Sequence, residues 1–504
     1  MARSLKHKRK IKNLKKTNKM SSSLNMTKVI KIAFAAIVFL VLWFLPTSAM
    51  GLPNISIVEH RVIAIFGLAL ILWITEAIPS WTTSMLIVVI LLLTCSNSSL
   101  SFLIKDGGEP IANIGSLISY KSIMAAFADP VIMLFIGGFT IAIVASKMGI
   151  DVQLARVMLA LFGKKSEFVL LGILLITGIF SMFISNTATA AMMLTFMAPV
   201  LRQMPVDGKG RIGLAMAIPI GANVGGIATP IGTPPNAIAL GFLNNPDGLN
   251  LDIDFLDWCI VMVPYTLVLL VVAWLVLLLL FPFKQKTIEL KIEGETKQGP
   301  QLIISYITIF VTILLWIFGK QVGLNTNVVA MIPVAVFAIT GILTKSDLKD
   351  IDWDVLWLVA GGFALGVALN DTNLAKDVVA AVPFGSWSPL VVIIGAGTIC
   401  WICANIISHT ATALLLIPVM TAVATGMGEA LEPLGGAFTL LMCVTLASSL
   451  GMILPISTPP NAIAYSTGLV STKNMQITGI IMGIIGLVLG FVTLIFVGKA
   501  GIML

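Results

Sequence analysis

A pair of ten-residue segments constrains the fold of this chain more than any other feature. Residues 230–239 read PIGTPPNAIA and residues 455–464 read PISTPPNAIA, so nine of the ten positions agree. Two further pairs precede them in the same order: Gly-Gly-Phe starting at Gly137 and Gly361, and Ser-x-Thr-Ala-Thr-Ala starting at Ser185 and Ser408. Matched blocks in matched order indicate that one structural unit occurs twice.

The distances between the blocks agree as well. The first glycine and the serine are 48 residues apart in the first copy and 47 in the second. The serine and the Asn that follows the prolines are 51 and 53 residues apart. Because chance similarity would not preserve blocks, order and spacing together, the sequence predicts two repeats, at 55–282 and 302–500.

The repeats are too apolar for a water-soluble protein. Hydrophobic residues make up 58% of the 504 residues, charged residues only 11%, and the mean hydropathy is +1.03. A soluble chain carries about 25% charged residues. Runs such as 261–281 and 477–497 reach the length of about 20 apolar residues that crosses a bilayer. We therefore predict an all-α polytopic membrane protein with about 11 spans, the first at 29–48, whose surface contacts lipid.

Basic residues predict the orientation of the chain. Ten Lys and Arg lie between Arg3 and Lys28, and we interpret segment 1–28 as a basic cytoplasmic tail rather than a nucleic-acid-binding region. With the N-terminus inside, the inner segments, including a polar linker at 283–301, hold 25 of the 31 Lys and Arg. The chain then runs inward after Gly137 and outward after Gly361, so the repeats are inverted, as in many secondary transporters. We expect a multi-pass protein of the plasma membrane.

The Ser-x-Thr-Ala-Thr-Ala blocks predict two re-entrant hairpins. The first is flanked on both sides by inner-type charges, Lys164 and Lys165 before it and Arg202 after it. A segment that starts and ends on one side must turn back within the membrane, where irregular backbone is tolerated only inside protein or along a cavity. We predict hairpins at about 168–202 and 388–426, with the serines at their tips.

The T-P-P-N segments predict two broken helices, at about 211–241 and 436–467. Proline removes a backbone donor and clashes with the preceding turn, so adjacent prolines force an unwound stretch. The half-helices on either side then present free amide or carbonyl ends, which favour anions and cations respectively.

Hydroxyl-rich clusters on membrane helices often serve only close helix packing. Two clusters and two breaks in symmetric positions instead favour a hydroxyl- and amide-lined cavity near the membrane midplane. Neither cluster includes Lys or Arg. An anion there would be held by hydroxyls, Asn186 and helix ends, with counter-charge from cations or from His409, since dehydrating an unpaired carboxylate is costly.

At these residues the sequence resembles the divalent anion/sodium symporter family, whose members carry di- and tricarboxylates. The resemblance covers about Ile30 to Leu504 and implies a homodimer in which a transport part moves against a scaffold like an elevator. It implies that substrate carboxylates contact Ser185, Asn186, Thr187, Ser408 and Thr410. We add as substrate-binding candidates His409, Thr233, Pro234, Thr458 and Pro459.

In sodium-coupled relatives, one sodium lies between the first hairpin tip and the loop that holds Gly232 and Asn236. A second lies between the other tip and the loop that holds Ser457, Thr458 and Asn461. This chain departs from the pattern because its second signature reads Ser-His-Thr where the first reads Ser-Asn-Thr.

His409 leaves three modes of coupling open. An imidazolium in place of a sodium would make exchange of two dicarboxylates natural, with no cofactor. Alternatively, sodium binds through backbone carbonyls and the protein is a sodium-coupled di-/tricarboxylate symporter, or His409 couples transport to protons. We favour exchange of C4–C5 dicarboxylates: malate, succinate, fumarate or 2-oxoglutarate.

Two other classes of function remain. A channel would need a continuous polar path, which paired hairpins can build. An enzyme would need a nucleophile and a base, but Ser408 and His409 are consecutive residues, whose side chains rarely face each other. We therefore expect a carrier and no enzymatic activity.

Overall fold

A computed structural model describes residues 26–50, 52, 55–205, 208–246, 248–288, 297–374, 376–377 and 387–501. Most of the predicted tail and the middle of the linker lie outside these residues. The described chain is almost entirely helical, which confirms the predicted all-α class. Its one small sheet pairs β1 (Lys105–Asp106) with β2 (Glu109–Pro110) in antiparallel fashion.

The helices of the first half are α1 Met26–Phe44, α2 Ile57–Thr75, α3 Ser80–Thr94, α4 Ser101–Ile104, α5 Tyr120–Ala125, α6 Pro130–Met148, α7 Ile150–Leu161, α8 Ser166–Ser181, α9 Asn186–Gln203, α10 Lys209–Gly225, α11 Pro234–Leu243 and α12 Phe255–Leu280. Those of the second half are α13 Pro300–Phe318, α14 Thr326–Val329, α15 Met331–Ile339, α16 Trp353–Asp371, α17 Pro389–Ile406, α18 His409–Met427, α19 Gly436–Ser449, α20 Pro459–Ser466 and α21 Thr472–Lys499. Short 3₁₀ turns occur at Thr47–Met50, Ala126–Ala128, Lys320–Val322, Asp347–Asp350 and Gly428–Leu434.

Nine helices in the described residues are long and apolar enough to cross a membrane, and four shorter apolar helices accompany them. If each broken helix is counted once and the two hairpins are set apart, the candidate crossings are α1, α2, α3, α5–α6, α10–α11, α12, α13, α14–α15, α16, α19–α20 and α21. This agrees with the span number expected from the sequence.

Both Ser-x-Thr-Ala-Thr-Ala blocks lie at the turn of a helical hairpin. The first hairpin pairs α8 with α9 and turns at 182–185; the second pairs α17 with α18 and turns at 407–408. In each, the block's serine is the N-cap of the second helix: Ser185 Oγ accepts from Ala188 N at 3.4 Å and Ser408 Oγ from Ala411 N at 3.3 Å. The repeated serine therefore has a local cause, because an N-cap hydroxyl satisfies an amide that would otherwise have no partner.

The T-P-P-N segments begin the second half of each broken helix. Gly225 ends α10 and Ser449 ends α19, and the unwound stretches run over 226–233 and 450–458. The paired prolines are the first two residues of α11 and α20, where a missing N–H has no helical partner to lose. The prolines thus fix where each helix resumes.

The two repeats pack on each other reciprocally. Half-helix α11 packs against α18 and α19 of the second repeat, and α20 packs against α9 and α10 of the first. The Gly-Gly-Phe block follows the same rule: Gly137 lies against Ala330, and Gly361 lies against Ser84, whose hydroxyl donates to Leu358 O at 3.1 Å. Because a side chain at either glycine would enter the other repeat's backbone or side chain, these glycines permit the close approach.

Candidate functional site

A cavity of about 430 Å³ lies where the two hairpin tips and the two helix breaks meet. All ten candidate substrate residues line it: Ser185, Asn186, Thr187, Thr233, Pro234, Ser408, His409, Thr410, Thr458 and Pro459. Of the four candidate sodium residues, Gly232 and Ser457 line the cavity, whereas Asn236 and Asn461 are buried behind it. The fold brings the predicted residues together, and their binding roles stay a prediction.

Four helix N-termini border this cavity. Helices α9 and α18 begin at the hairpin tips, and α11 and α20 begin at the prolines of the T-P-P-N segments. The dipole of a helix N-terminus favours negative charge, and α9 and α18 add free amides, whereas the prolines that begin α11 and α20 carry no N–H. No Lys or Arg is among the described residues that line the cavity. The arrangement is suited to an anion bound by helix ends, hydroxyls and amides.

Side-chain amides stabilise the unwound stretch of the first break through hydrogen bonds. Asn236 Nδ2 donates to Gly226 O at 2.9 Å and Thr229 O at 2.8 Å. The Asn186 amide is oriented with its nitrogen toward Gly232 O, at 3.2 Å, since the opposite orientation would set its oxygen against carbonyls. The asparagine of the T-P-P-N motif therefore satisfies carbonyls that the break leaves without helical partners.

The second break uses the same scheme with one difference. Asn461 Nδ2 donates to Met452 O at 2.9 Å and Leu454 O at 3.0 Å. The glycine ten residues before this Asn is Gly451, which corresponds to Gly226, and its carbonyl lies 2.8 Å from His409 Nε2. His409 thus donates to Gly451 O, whereas the corresponding carbonyl of the first repeat, Gly226 O, accepts from Asn236 of the T-P-P-N motif. Nδ1 is then the ring nitrogen left for a ligand.

Asn223 connects the two repeats at the cavity and was missed from the sequence. It lies on α10, is 1% exposed, and its Nδ2 donates to Thr458 Oγ1 and Asn461 Oδ1, both at 3.2 Å. Its Oδ1 is buried without a hydrogen-bond partner. The only sequence signal was a lone amide within the small and apolar run IPIGANVGG, and the corresponding position of the second repeat holds Ser448.

Three carboxylates that line the cavity were also missed: Glu76 at the end of α2, and Asp352 and Asp354 at the start of α16. Asp352 and Ser185 both line the cavity. Burial raises the pKa of Asp352 above its usual range and the Asp354 carboxylate raises it further, while Ser185 opposes this shift. An anion in the cavity would therefore meet acidic groups as well as hydroxyls and helix ends.

A second cavity of about 440 Å³ adjoins the first. The two share Phe139, Ser185 and Asp352. Its far end is lined by Lys147 and Asp347, whose Nζ and Oδ2 atoms are 2.5 Å apart. Both residues belong to segments that the charge pattern predicts to be inner ones, and the second cavity extends from the candidate site to these segments.

The profile of the family described as the sodium:sulfate symporter transmembrane region matches residues 26–504. The chain belongs to this family. The resemblance to the divalent anion/sodium symporters is thereby confirmed, and so is the expectation of a transporter rather than an enzyme. The buried hydroxyl and amide cavity is accordingly the candidate substrate site of a membrane transporter.

Curated relatives are transporters as well. The sodium-dependent dicarboxylate transporter SdcS of Staphylococcus aureus is 28% identical over 456 residues, which cover 83% of this chain and 82% of SdcS. An uncharacterized transporter of Haemophilus influenzae is 28% identical over 445 residues, covering 84% of this chain and 88% of the relative. An uncharacterized transporter of Schizosaccharomyces pombe is 31% identical over 414 residues; these cover 81% of this chain but only 45% of the fungal protein.

Solved structures share the fold at low sequence identity. The YdaH transporter of Alcanivorax borkumensis, described as having an unusual topology, superposes with a TM-score of 0.56 at 11% identity over 84% of this chain and 99% of YdaH. MtrF of Neisseria gonorrhoeae gives a TM-score of 0.51 at 12% identity over 83% of this chain and 94% of MtrF. These similarities extend to the architecture alone.

Proposed function

We propose that this transporter carries C4–C5 dicarboxylates such as malate, succinate, fumarate and 2-oxoglutarate. The supporting observation is the pair of hairpin tips on one cavity, each with a serine, a threonine and a helix N-terminus. Two like binding groups suit a substrate with two carboxylates, one at each tip. The dicarboxylate specificity in the name of SdcS supports the same substrate class.

We further propose that transport is sodium-independent exchange. Five oxygens of the second break accept hydrogen bonds from protein donors: Gly451 O from His409, Met452 O and Leu454 O from Asn461, and Thr458 Oγ1 and Asn461 Oδ1 from Asn223. A sodium ion needs oxygen lone pairs, and Asn461 Oδ1 shares one with an N–H group, whereas its counterpart in the first repeat, Asn236 Oδ1, has no hydrogen-bond partner. The second sodium-type site therefore suits a cation less well than the first.

A sodium-coupled di-/tricarboxylate symporter is the alternative, and one observation favours it. Asn236 Oδ1, in the first break, is buried without a hydrogen-bond partner. An orphaned amide oxygen can coordinate a cation, and Gly232 lies in the same loop. If sodium binds this chain, the first break holds it.

His409 supplies the counter-charge in the exchange proposal. Its Nε2 is committed to Gly451 O, so a substrate carboxylate would meet Nδ1, which must carry a proton to donate a hydrogen bond. A protonated ring gives a dianion one fixed positive charge. Without substrate the neutral ring needs no counter-ion, so the empty site has no use for sodium.

The remaining parts of the proposal concern the whole molecule. We propose that the hairpins and broken helices move as one transport part against a scaffold, in an elevator-type motion within a homodimer. We place the N-terminus in the cytoplasm and the protein in the plasma membrane. The 25 of 31 Lys and Arg on inner segments support this orientation.

Uptake of labelled succinate into proteoliposomes tests the proposal. Vesicles are empty or preloaded with unlabelled succinate, and each set is assayed with sodium and with choline. Exchange predicts uptake that requires preloading and is indifferent to sodium. Uptake into empty vesicles driven by a sodium gradient would establish the symporter instead, and sustained conductance without saturation would indicate a channel.

A further inference from the structure

A third cavity, of about 610 Å³, adjoins the candidate site at the turn between α2 and α3. The two cavities share Glu76, Pro79 and Ser80, so the third one borders the candidate site directly. Its other wall is the start of α1, which contributes Lys28 and Lys31. We refer to it as the lysine cavity.

Both lysines lie on one face of α1. They are three residues apart, a spacing that places side chains next to each other on a helix. Lys31 is half-buried, and its Nζ donates to Thr75 O at the end of α2 at 2.8 Å, which holds this ammonium group beside the turn. Lys28 is exposed. Within the described part of the chain, neither lysine forms an ion pair, although Glu76 lines the same cavity. Both charges are therefore available to a mobile anion.

The second cavity, which also adjoins the candidate site, is acidic. Among the described residues that line it, the one lysine, Lys147, is paired with Asp347. Its further aspartates are Asp151, Asp350 and Asp352. A dianion that approached through the second cavity would meet mainly carboxylates, whereas the lysine cavity sets two ammonium groups against the carboxylate of Glu76. Of the two cavities, the lysine cavity is the one suited to an anion.

We propose that Lys28 and Lys31 form a recruitment site that gathers dicarboxylates at the inner end of the substrate cavity. The inference rests on the proposed substrate and on the proposed orientation with the N-terminus inside. The candidate site has no Lys or Arg among its described lining residues, so it exerts little long-range attraction on an anion. A cleft lined by positive charge raises the local concentration of anions, and salt screens this effect. The two lysines supply the attraction that the candidate site lacks.

Exchange measured from each side of the membrane tests this role. Right-side-out and inverted membrane vesicles are prepared from a host strain without succinate uptake of its own and are preloaded with unlabelled succinate. Initial uptake of labelled succinate then gives KM at the outer and at the inner face. In Lys28→Met we expect KM at the inner face to rise about five-fold at low salt and about two-fold at physiological salt, the effect of one charge on a dianion about 7 Å away. KM at the outer face and the maximal rate should not change.

Three further variants make the result specific. Lys28→Arg keeps the charge and should keep the KM of the unmodified protein. Lys31→Met should also raise KM at the inner face, but it breaks the bond to Thr75 O as well, so Lys28 carries the test. Lys473→Met removes a lysine that the same orientation places inside, from a cavity that shares no described residue with the candidate site, and KM should stay unchanged. A rise in Lys473→Met equal to that in Lys28→Met would mean that only the overall charge of the inner surface matters, which overturns the proposed site.

A lipid phosphate is the other anion that two ammonium groups at a membrane surface can bind. Purified protein in detergent without added lipid removes this competitor, and the Kd of succinate follows from the rise in unfolding temperature that succinate causes. We expect Lys28→Met to weaken this Kd at low salt. A Kd unchanged by the substitution, together with a loss of stabilisation by added phosphatidylglycerol, would assign the lysines to lipid and overturn the proposal.

The outcomes separate the recruitment site from the proposed function. If the unmodified protein exchanges succinate and Lys28→Met has the same KM at the inner face at low salt, the recruitment site is wrong and the proposed function stands. If the unmodified protein exchanges none of the C4–C5 dicarboxylates, the proposed function fails and the recruitment site fails with it.

Discussion

Replacing Asn223 with alanine should weaken substrate binding more than it weakens the fold. The substitution removes two hydrogen bonds of 3.2 Å, to Thr458 Oγ1 and Asn461 Oδ1, from a residue that is 1% exposed. A buried hydrogen bond contributes about 0.5–1.5 kcal/mol net, so the pair is worth about 1–3 kcal/mol. Thr458 lines the cavity, and its position sets one wall of the site.

If these 1–3 kcal/mol are lost from the stability of the second break in its substrate-binding conformation, KM for succinate rises about 5- to 150-fold. The assay is exchange in proteoliposomes over a range of external succinate, with thermal unfolding of the purified protein measured in parallel. Asn244→Ala is the matched control, because Asn244 also makes two side-chain hydrogen bonds, both to Ile253, outside the cavity. It should lower thermal stability and leave KM unchanged.

Asn223→Asp tests whether the second break can be made to bind sodium. A carboxylate at this position would face Asn461 Oδ1 and the Thr458 hydroxyl, which can donate it only one hydrogen bond, and such a set of oxygens favours a small cation. We expect exchange by this variant to fall in choline and to recover partly in sodium. An unchanged KM in Asn223→Ala together with sodium-insensitive exchange in Asn223→Asp would refute the reasoning that Asn223 shapes the second break.

Three further substitutions probe other contacts. His409→Asn should lower sodium-free exchange and introduce stimulation by sodium, and unchanged sodium-free exchange would remove His409 from the mechanism. Gly361→Ala should lower the free energy of unfolding by about 1–3 kcal/mol through overpacking, and with it the unfolding temperature. Gly395→Ala, with no atom within 4 Å of the added Cβ, should leave both unchanged. Equal unfolding temperatures of the two variants would refute the close approach at Gly361. Lys147→Met should reduce stability more than Asp347→Asn does, because it removes the donor to both Asp347 Oδ2 and Ile342 O, whereas the asparagine keeps an oxygen that can accept from Thr344 N and Oγ1. The reverse order on thermal unfolding would contradict the importance of the bond to Ile342 O.

The architecture was predictable because its signals are local and occur twice. An N-cap serine, a proline pair and a glycine at a close crossing each act through a few neighbouring residues, so Ser185, Pro234 and Gly361 can be interpreted from the sequence. The role of the T-P-P-N prolines was only partly foreseen. They were expected to interrupt a helix, whereas they start the next one, since a proline at the first helical positions loses no hydrogen bond.

The missed residues have a common physical reason. Asn223 bonds residues 235 and 238 positions away, in the other repeat, and Asp352 lines the same cavity as Ser185 only because two helices from different repeats begin there. Neither belongs to a repeated block, so internal symmetry could not identify them. For His409, the sequence predicted a special residue but not its bond to Gly451 O, which depends on the course of an unwound loop.

The reciprocal seating of α11 on α18 and of α20 on α9 has a consequence for biosynthesis. At about 5–20 residues per second, roughly 10–30 s pass between the emergence of α11 from the ribosome and that of α18. During this interval α11 is in the nascent chain without its partner helix. A chain arrested after the first repeat would therefore present the unpaired face of α11 to the insertion machinery and to membrane proteases.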